Sequence, residues 1–171
     1  FEVIFFNACF DFLLYNRKNP ANGIYIAEIK EKNLINNVKY HKINHPQAQI
    51  VVYLHWSIDQ ETLPFPMYRQ FARKLIDEGA DLILGTHAHC VQGGEKYNNK
   101  YIIYGLGNFF IPNNIYAGGN LSFPEFSKTE LAFEWDKEKN KATCHWFKYN
   151  DNNGHDLEHL KSEPFEAETQ I

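Results

Sequence analysis

The sequence predicts an α/β fold: a parallel βαβ unit followed by antiparallel strands. Three observations carry this. Two continuous apolar runs, Ile50–Leu54 and Leu82–Leu84, have the length and β-branched character of buried strands. Between them, Pro64–Gly79 has helical periodicity, with prolines at its start and a glycine at its stop. Downstream, Thr129–Trp135 alternates apolar and polar residues, and Ala142–Tyr149 follows it after a charged turn.

Taken in order, Phe1–Phe10 reads as a buried strand, Asn16–Asn22 as a loop and Gly23–Ile29 as a second strand. Glu31–Asn44 reads as a helix with Leu34, Ile35 and Val38 inward. His41 and His45 lie four apart there, a spacing that suits a metal pair. Pro46 ends the segment and no carboxylate motif accompanies them, so ordinary helix surface is the stronger reading. In Pro64–Gly79 the apolar face is Met67, Phe71, Leu75 and Ile76, while Arg69, Arg73, Asp77 and Glu78 face mostly outward. Gly93-Gly94-Glu95 opens a short strand. Tyr97-Asn98-Asn99-Lys100 turns it into Tyr101–Tyr104. Phe109–Ser127 is a long loop rich in Pro, Asn, Gly and aromatic residues, the kind that often serves as a lid.

The chain has 171 residues, enough for one domain or a large part of one, and its 44% apolar content can build a core. The net charge of −4 argues against general nucleic-acid binding. Six acids and one base fall in 151–171, so the remainder carries +1 and the acidity belongs to a polar tail. His155 and His159 in that tail read as solvated. Cys9, Cys90 and Cys144 are odd in number and widely spaced, which argues against a disulfide framework. Cys90 follows His89 and could be a soft ligand, but a buried Cys more often acts as a small hydrophobe. No apolar run is long enough to span a membrane. The chain opens on Phe1 inside an apparent strand, as expected of the carboxyl-terminal piece of a longer protein.

Function concentrates where the two strands end. His55 terminates the first run. Gly85-Thr86-His87-Ala88-His89 terminates the second, with Gly85 expected to make the turn. Neighbouring parallel strands lie about 5 Å apart and end on one edge. His55, His87 and His89 therefore converge where open α/β sheets place ligands, as a candidate metal site. After Tyr104, Gly105-Leu106-Gly107-Asn108 leaves its strand. Asn108 is either a site-edge amide or a turn residue bonding its own backbone.

His55-Trp56-Ser57-Ile58-Asp59, Gly79–His89 and Tyr104–Phe109 together resemble the CapA, or poly-gamma-glutamate capsule synthesis, family. The resemblance implies part of a metallophosphoesterase-like αββα sandwich, with residues 1–150 as its carboxyl-terminal portion. It implies His55, His87 and His89 as ligands of divalent Mn, Fe or Zn ions, two in the full-length protein. Asp59, Glu95 and Asn108 would act as catalytic or substrate-contacting groups lining the same cleft. Upstream Asp, Gly-Asp and Asn-His motifs, which would complete a two-metal centre, are not visible. Ser57, Asp59 and Thr86 stand where the family usually has Gly, Glu and His. The implied role is hydrolysis or transfer in capsule or envelope-polymer synthesis, at the cell envelope, with any membrane anchor in a segment outside this chain. Expected partners are an envelope polymer or phosphoester substrate and other capsule-synthesis proteins. The alternative is a non-catalytic polymer-binding or assembly component with the same fold.

Overall fold

The computed structural model describes residues 2–10, 27–114, 117–151 and 156–166. The expected loop over Asn16–Asn22, most of the expected strand over Gly23–Ile29, and His155 lie outside these residues. Within the remainder of Gly23–Ile29, Glu28 forms only an isolated parallel bridge to Cys9.

The first sheet has five strands: β1 (Val3–Cys9), β2 (Gln49–His55), β3 (Leu82–Thr86), β4 (Val91–Tyr97) and β5 (Lys100–Leu106), ordered β1-β2-β3-β5-β4. All are parallel to their neighbours except β4, which pairs antiparallel to β5. Asn98 and Asn99, both at positive φ, make the tight β4–β5 turn, where asparagine tolerates the left-handed region best among non-glycine residues. Helices α1 (Glu31–Asn44) and α2 (Pro66–Asp77) cover one face of this sheet. The buried side of α1 is Leu34, Ile35 and Val38, as its pattern predicts.

In α2 the buried residues are Tyr68, Phe71, Ala72, Leu75 and Ile76, while Met67 is exposed. The expected apolar face is thus rotated by one residue at its start, because Tyr68 stacks on Trp56. The second sheet packs on the other face of the first. Its strands β6 (Thr129–Asp136), β7 (Lys141–Asn150) and β8 (Asp156–Pro164) form an antiparallel meander. Leu131, Phe133 and Trp135 of β6 pack against Leu82, Leu84, Tyr101 and Ile103. The layers are therefore α, β and β, three of the four in an αββα sandwich.

Part of the polar tail of residues 151–171 forms a strand, β8. Its sequence is polar because it is a solvent-exposed edge strand, yet its backbone pairs with β7 from Asn150↔Asp156 to Thr143↔Pro164. Backbone pairing is indifferent to side-chain polarity, so composition hid it.

Candidate metal centre

The three expected histidines meet at the carboxyl edge of the parallel strands. His55 ends β2, and β3 delivers Thr86 beside it in register. The ring centroids of His55 and His87 are 4.7 Å apart, and those of His87 and His89 5.7 Å. The chain reaches this arrangement at the expense of backbone comfort. Ser57 (φ 81), His87 (φ 94), His89 (φ 57) and Phe109 (φ 58) all adopt left-handed conformations. Such residues cost about 1–3 kcal/mol each and persist where surrounding structure over-determines them, often at functional sites. Gly85 does not make the turn. It lies inside β3, where a Cβ would sit 2.0 Å from the Tyr104 carbonyl and 2.3 Å from Trp56 Nε1. Its role is to let the buried Trp56 indole donate to that carbonyl at 3.0 Å.

The tight cluster is not the expected trio. Asp59, His87 and His89 each offer one ligand atom, all within 4.8 Å of one another. His87 Nε2 lies 3.1 Å from Asp59 Oδ1, and His89 Nε2 lies 3.9 Å from it. His55 stands behind. Its Nε2 faces His87 Nδ1 at 3.0 Å, and its Nδ1 faces Thr86 Oγ1 at 3.2 Å. Asp59 thus stands with His87 and His89 among the convergent donors, and His55 contacts His87 from its other ring nitrogen.

Thr86 donates its hydroxyl to the Leu54 carbonyl at 3.5 Å. His55 Nδ1 lies within hydrogen-bond reach of that hydroxyl, His55 Nε2 within reach of His87 Nδ1, and His87 Nε2 faces Asp59 Oδ1. On the other side, His89 Nδ1 donates to Asn108 Oδ1 at 2.5 Å, which in the neutral ring makes Nε2 the acceptor nitrogen. Two imidazole nitrogens and a carboxylate oxygen thus converge, a donor set suited to a cation when the nitrogens carry no proton. Burial lowers the pKa of both His55 and His87 from the ordinary imidazole value, chiefly by desolvation. The Asp59 carboxylate opposes this at both residues, and neighbouring histidines reinforce it. Both rings are consequently neutral near pH 7, the state that ligates metal.

Asn108 lies at the rim as expected, with its Nδ2 also reaching the His89 carbonyl at 3.4 Å. Glu95 does not. It pairs with Ile102 along β4, well below the rim. Its carboxylate is held by Arg73 at 3.0 Å, by Arg69 at 3.3 Å and by the Tyr104 hydroxyl. The arginines read as solvent-facing are its partners, and hydrogen bonds from them hold the Glu95 carboxyl below its usual range against the desolvation that raises it. Cys90 is no ligand. Its thiol donates to the Glu61 carbonyl, and burial pushes its pKa to about 11. His41 packs on Phe6 and His45 pairs with Glu2, away from the site.

Three contributors were missed by sequence reasoning. Thr86 starts the hydrogen-bond chain. Phe123, returned by the long loop, packs on His89 with centroids 4.7 Å apart. Glu130 supports the Asn108 turn. Only Thr86 carried a signal, being adjacent to the histidine pair. Ser57 has a structural explanation: the usual glycine suits φ 81, and here the serine hydroxyl accepts from Gln92 Nε2 at 2.9 Å.

A parallel α/β sheet with a His/Asp cluster at its carboxyl edge defines an α/β protein with a candidate metal centre. Residues 11–113, more than half of the chain, match the family model described as bacterial capsule synthesis protein PGA_cap, and the chain belongs to this family. It is similar to the PGA biosynthesis protein CapA of Bacillus subtilis (strain 168), 43% identical over 60 residues. That match covers 35% of this chain and 16% of the relative. It is also similar to the capsule biosynthesis protein CapA of Bacillus anthracis, 38% identical over 60 residues, 35% of this chain and 15% of the relative. The matched stretch thus spans about a sixth of the length of these curated relatives.

Proposed function

We propose that this chain contributes a metal-dependent, phosphoesterase-like hydrolytic or transfer site to capsule or envelope-polymer synthesis. The observation that carries the reading is the convergence of ligand atoms from Asp59, His87 and His89 within 4.8 Å of one another. A bound Zn, Mn or Fe ion would supply Lewis-acid polarisation of a phosphoryl oxygen and an activated water. The chain's own residues do the rest. Asp59 supplies negative charge, Asn108 fixes the ring of His89, and His55 with Thr86 fixes His87. Phe123 shields one side of His89 from water. The capsule context rests on the family and on the names of the two relatives. It favours work at the cell envelope, on an envelope polymer or a phosphoester and alongside other capsule-synthesis proteins.

One cluster of three donors holds one ion, so a second ion would need ligands from elsewhere. That supports the alternative of a polymer-binding component that keeps a single structural ion. Metal titration followed by turnover of a generic phosphodiester separates the two. Under the enzymatic reading, wild-type protein binds a divalent ion, and Asp59→Asn and His87→Ala each weaken binding by about tenfold or more. Turnover falls in parallel. Unchanged metal affinity in both variants would remove the site, and metal binding without turnover by a longer protein carrying this chain would favour the non-catalytic reading.

A further inference from the structure

Glu130 lies on β6, outside the stretch that matches the family model. It is 1% exposed, although its neighbours Leu131, Phe133 and Trp135 are the residues that pack between the sheets. It is buried because the Gly107–Phe109 turn folds over it. Its Oε2 accepts the Phe109 N–H at 2.7 Å, and the Asn108 N–H also donates to it. Among the described residues, no Lys, Arg or His forms an ion pair with it. The turn is built around this carboxylate. Gly107 has φ 85, and a Cβ there would sit 2.2 Å from Glu130 Oε2. Phe109, a bulky residue, is held at φ 58. Between these two left-handed positions, the Asn108 side chain reaches His89. Its Oδ1 meets His89 Nδ1 and its Nδ2 meets the His89 carbonyl, gripping both ring and backbone.

We propose that Glu130 is a positioning residue for this site: its buried carboxylate fixes the Gly107–Phe109 turn and, through Asn108, sets the Nδ1–H tautomer of His89. A carboxylate with no cationic partner is costly to bury. Burial raises its pKa to about 7, against the lowering effect of the two backbone N–H groups. Such a group is tolerated where it organises backbone donors that would otherwise lack partners. Here the donors belong to the turn whose Asn108 side chain meets His89 Nδ1. The consequence for metal rests on the Asp59–His87–His89 reading, but the coupling from Glu130 to His89 does not.

The test reads the coupling directly in the metal-free chain. Nitrogen-15 NMR distinguishes Nδ1–H from Nε2–H imidazole, and His89 is to be assigned in wild type, Glu130→Gln, Glu130→Leu and Asn108→Ala. Wild-type His89 is expected in the Nδ1–H form. Glu130→Gln keeps an acceptor oxygen and is expected to retain that form. Glu130→Leu fills the space without accepting, and is expected to release His89 into a mixture with Nε2–H, as is Asn108→Ala with Glu130 intact. Zinc affinity is then expected to fall about 10–100-fold in the two releasing variants. If Glu130→Leu does not fold, Asn108→Ala together with Gly107→Ala, which crowds the carboxylate, provides the same comparison. An unchanged His89 tautomer in the folded releasing variants, or an Nε2–H form in wild type, would overturn the proposal. A tautomer shift in a protein that binds no zinc would sustain the positioning role and defeat the metal reading alone.

Discussion

At the scale of single residues, the histidines make stability depend on pH. His55 and His87 have pKa values below the ordinary imidazole value in the folded chain, with desolvation the largest cause. As pH falls through about 6.5, the unfolded state takes up protons first and the folded state lags. Stability is therefore undiminished above that value and declines between it and the lower folded pKa values. Thermal denaturation of the metal-free chain across this range is expected to show a falling midpoint on acidification, with a shallower slope in His55→Gln. Equal slopes would mean that burial does not keep the ring neutral. The histidines themselves were legible in the sequence, because apolar runs ending in imidazoles are a local pattern. Their division of labour was not. Whether His55 faces a metal or backs His87 depends on where Thr86 and Asp59 stand, and Asp59 reaches the cluster only because Ser57 accepts a left-handed backbone.

At the scale of elements, the parallel strands and both helices followed from apolar runs and 3.6-residue periodicity, and β6 and β7 from alternation. Glu95 shows where local patterns stop helping. A carboxylate after two glycines resembles a rim residue. Only the antiparallel register of β4 on β5 reveals that it sits opposite Ile102, beneath α2. There it ties β4 to α2 through Arg69, Arg73 and Tyr104, with its side chain 16% exposed. Removing one partner of a mostly buried ion pair leaves the others uncompensated. Glu95→Gln is expected to cost about 1–3 kcal/mol of stability, less than a fully buried pair would. Metal affinity is expected to stay at the wild-type value, in contrast to Asn108→Ala. Denaturant unfolding alongside metal titration checks both halves. A loss of metal affinity with unchanged stability would return Glu95 to the site.

At the scale of the whole molecule, the second sheet covers the first unevenly. Along β2, β3 and β5 it buries Val51, Leu82 and Tyr101. β1 continues the same face, since Phe5 is in register with Val51 and Val3 with Gln49. Yet Phe5 is 57% exposed and Val3 47%, and Phe5 has Tyr53 as its stacking partner at 6.1 Å. Among the described residues, the apolar face of the parallel sheet therefore runs one strand beyond the cover of the second sheet. Parallel sheets are normally covered on both faces. An exposed apolar strip along an edge strand favours association. The isolated 171-residue chain is expected to bind a hydrophobic dye and to self-associate with rising concentration. The double variant Val3→Thr, Phe5→Thr is expected to reduce both. It should change stability by no more than about 0.5 kcal/mol, because partly exposed positions contribute little to the core. The β-branched replacements keep strand propensity, so a weakened fold would not explain the result. Sedimentation velocity and dye fluorescence on the two proteins decide the matter. If the double variant self-associates and binds dye as strongly as wild type, the sticky surface lies elsewhere and the strip on β1 is not an unfilled part of the sandwich.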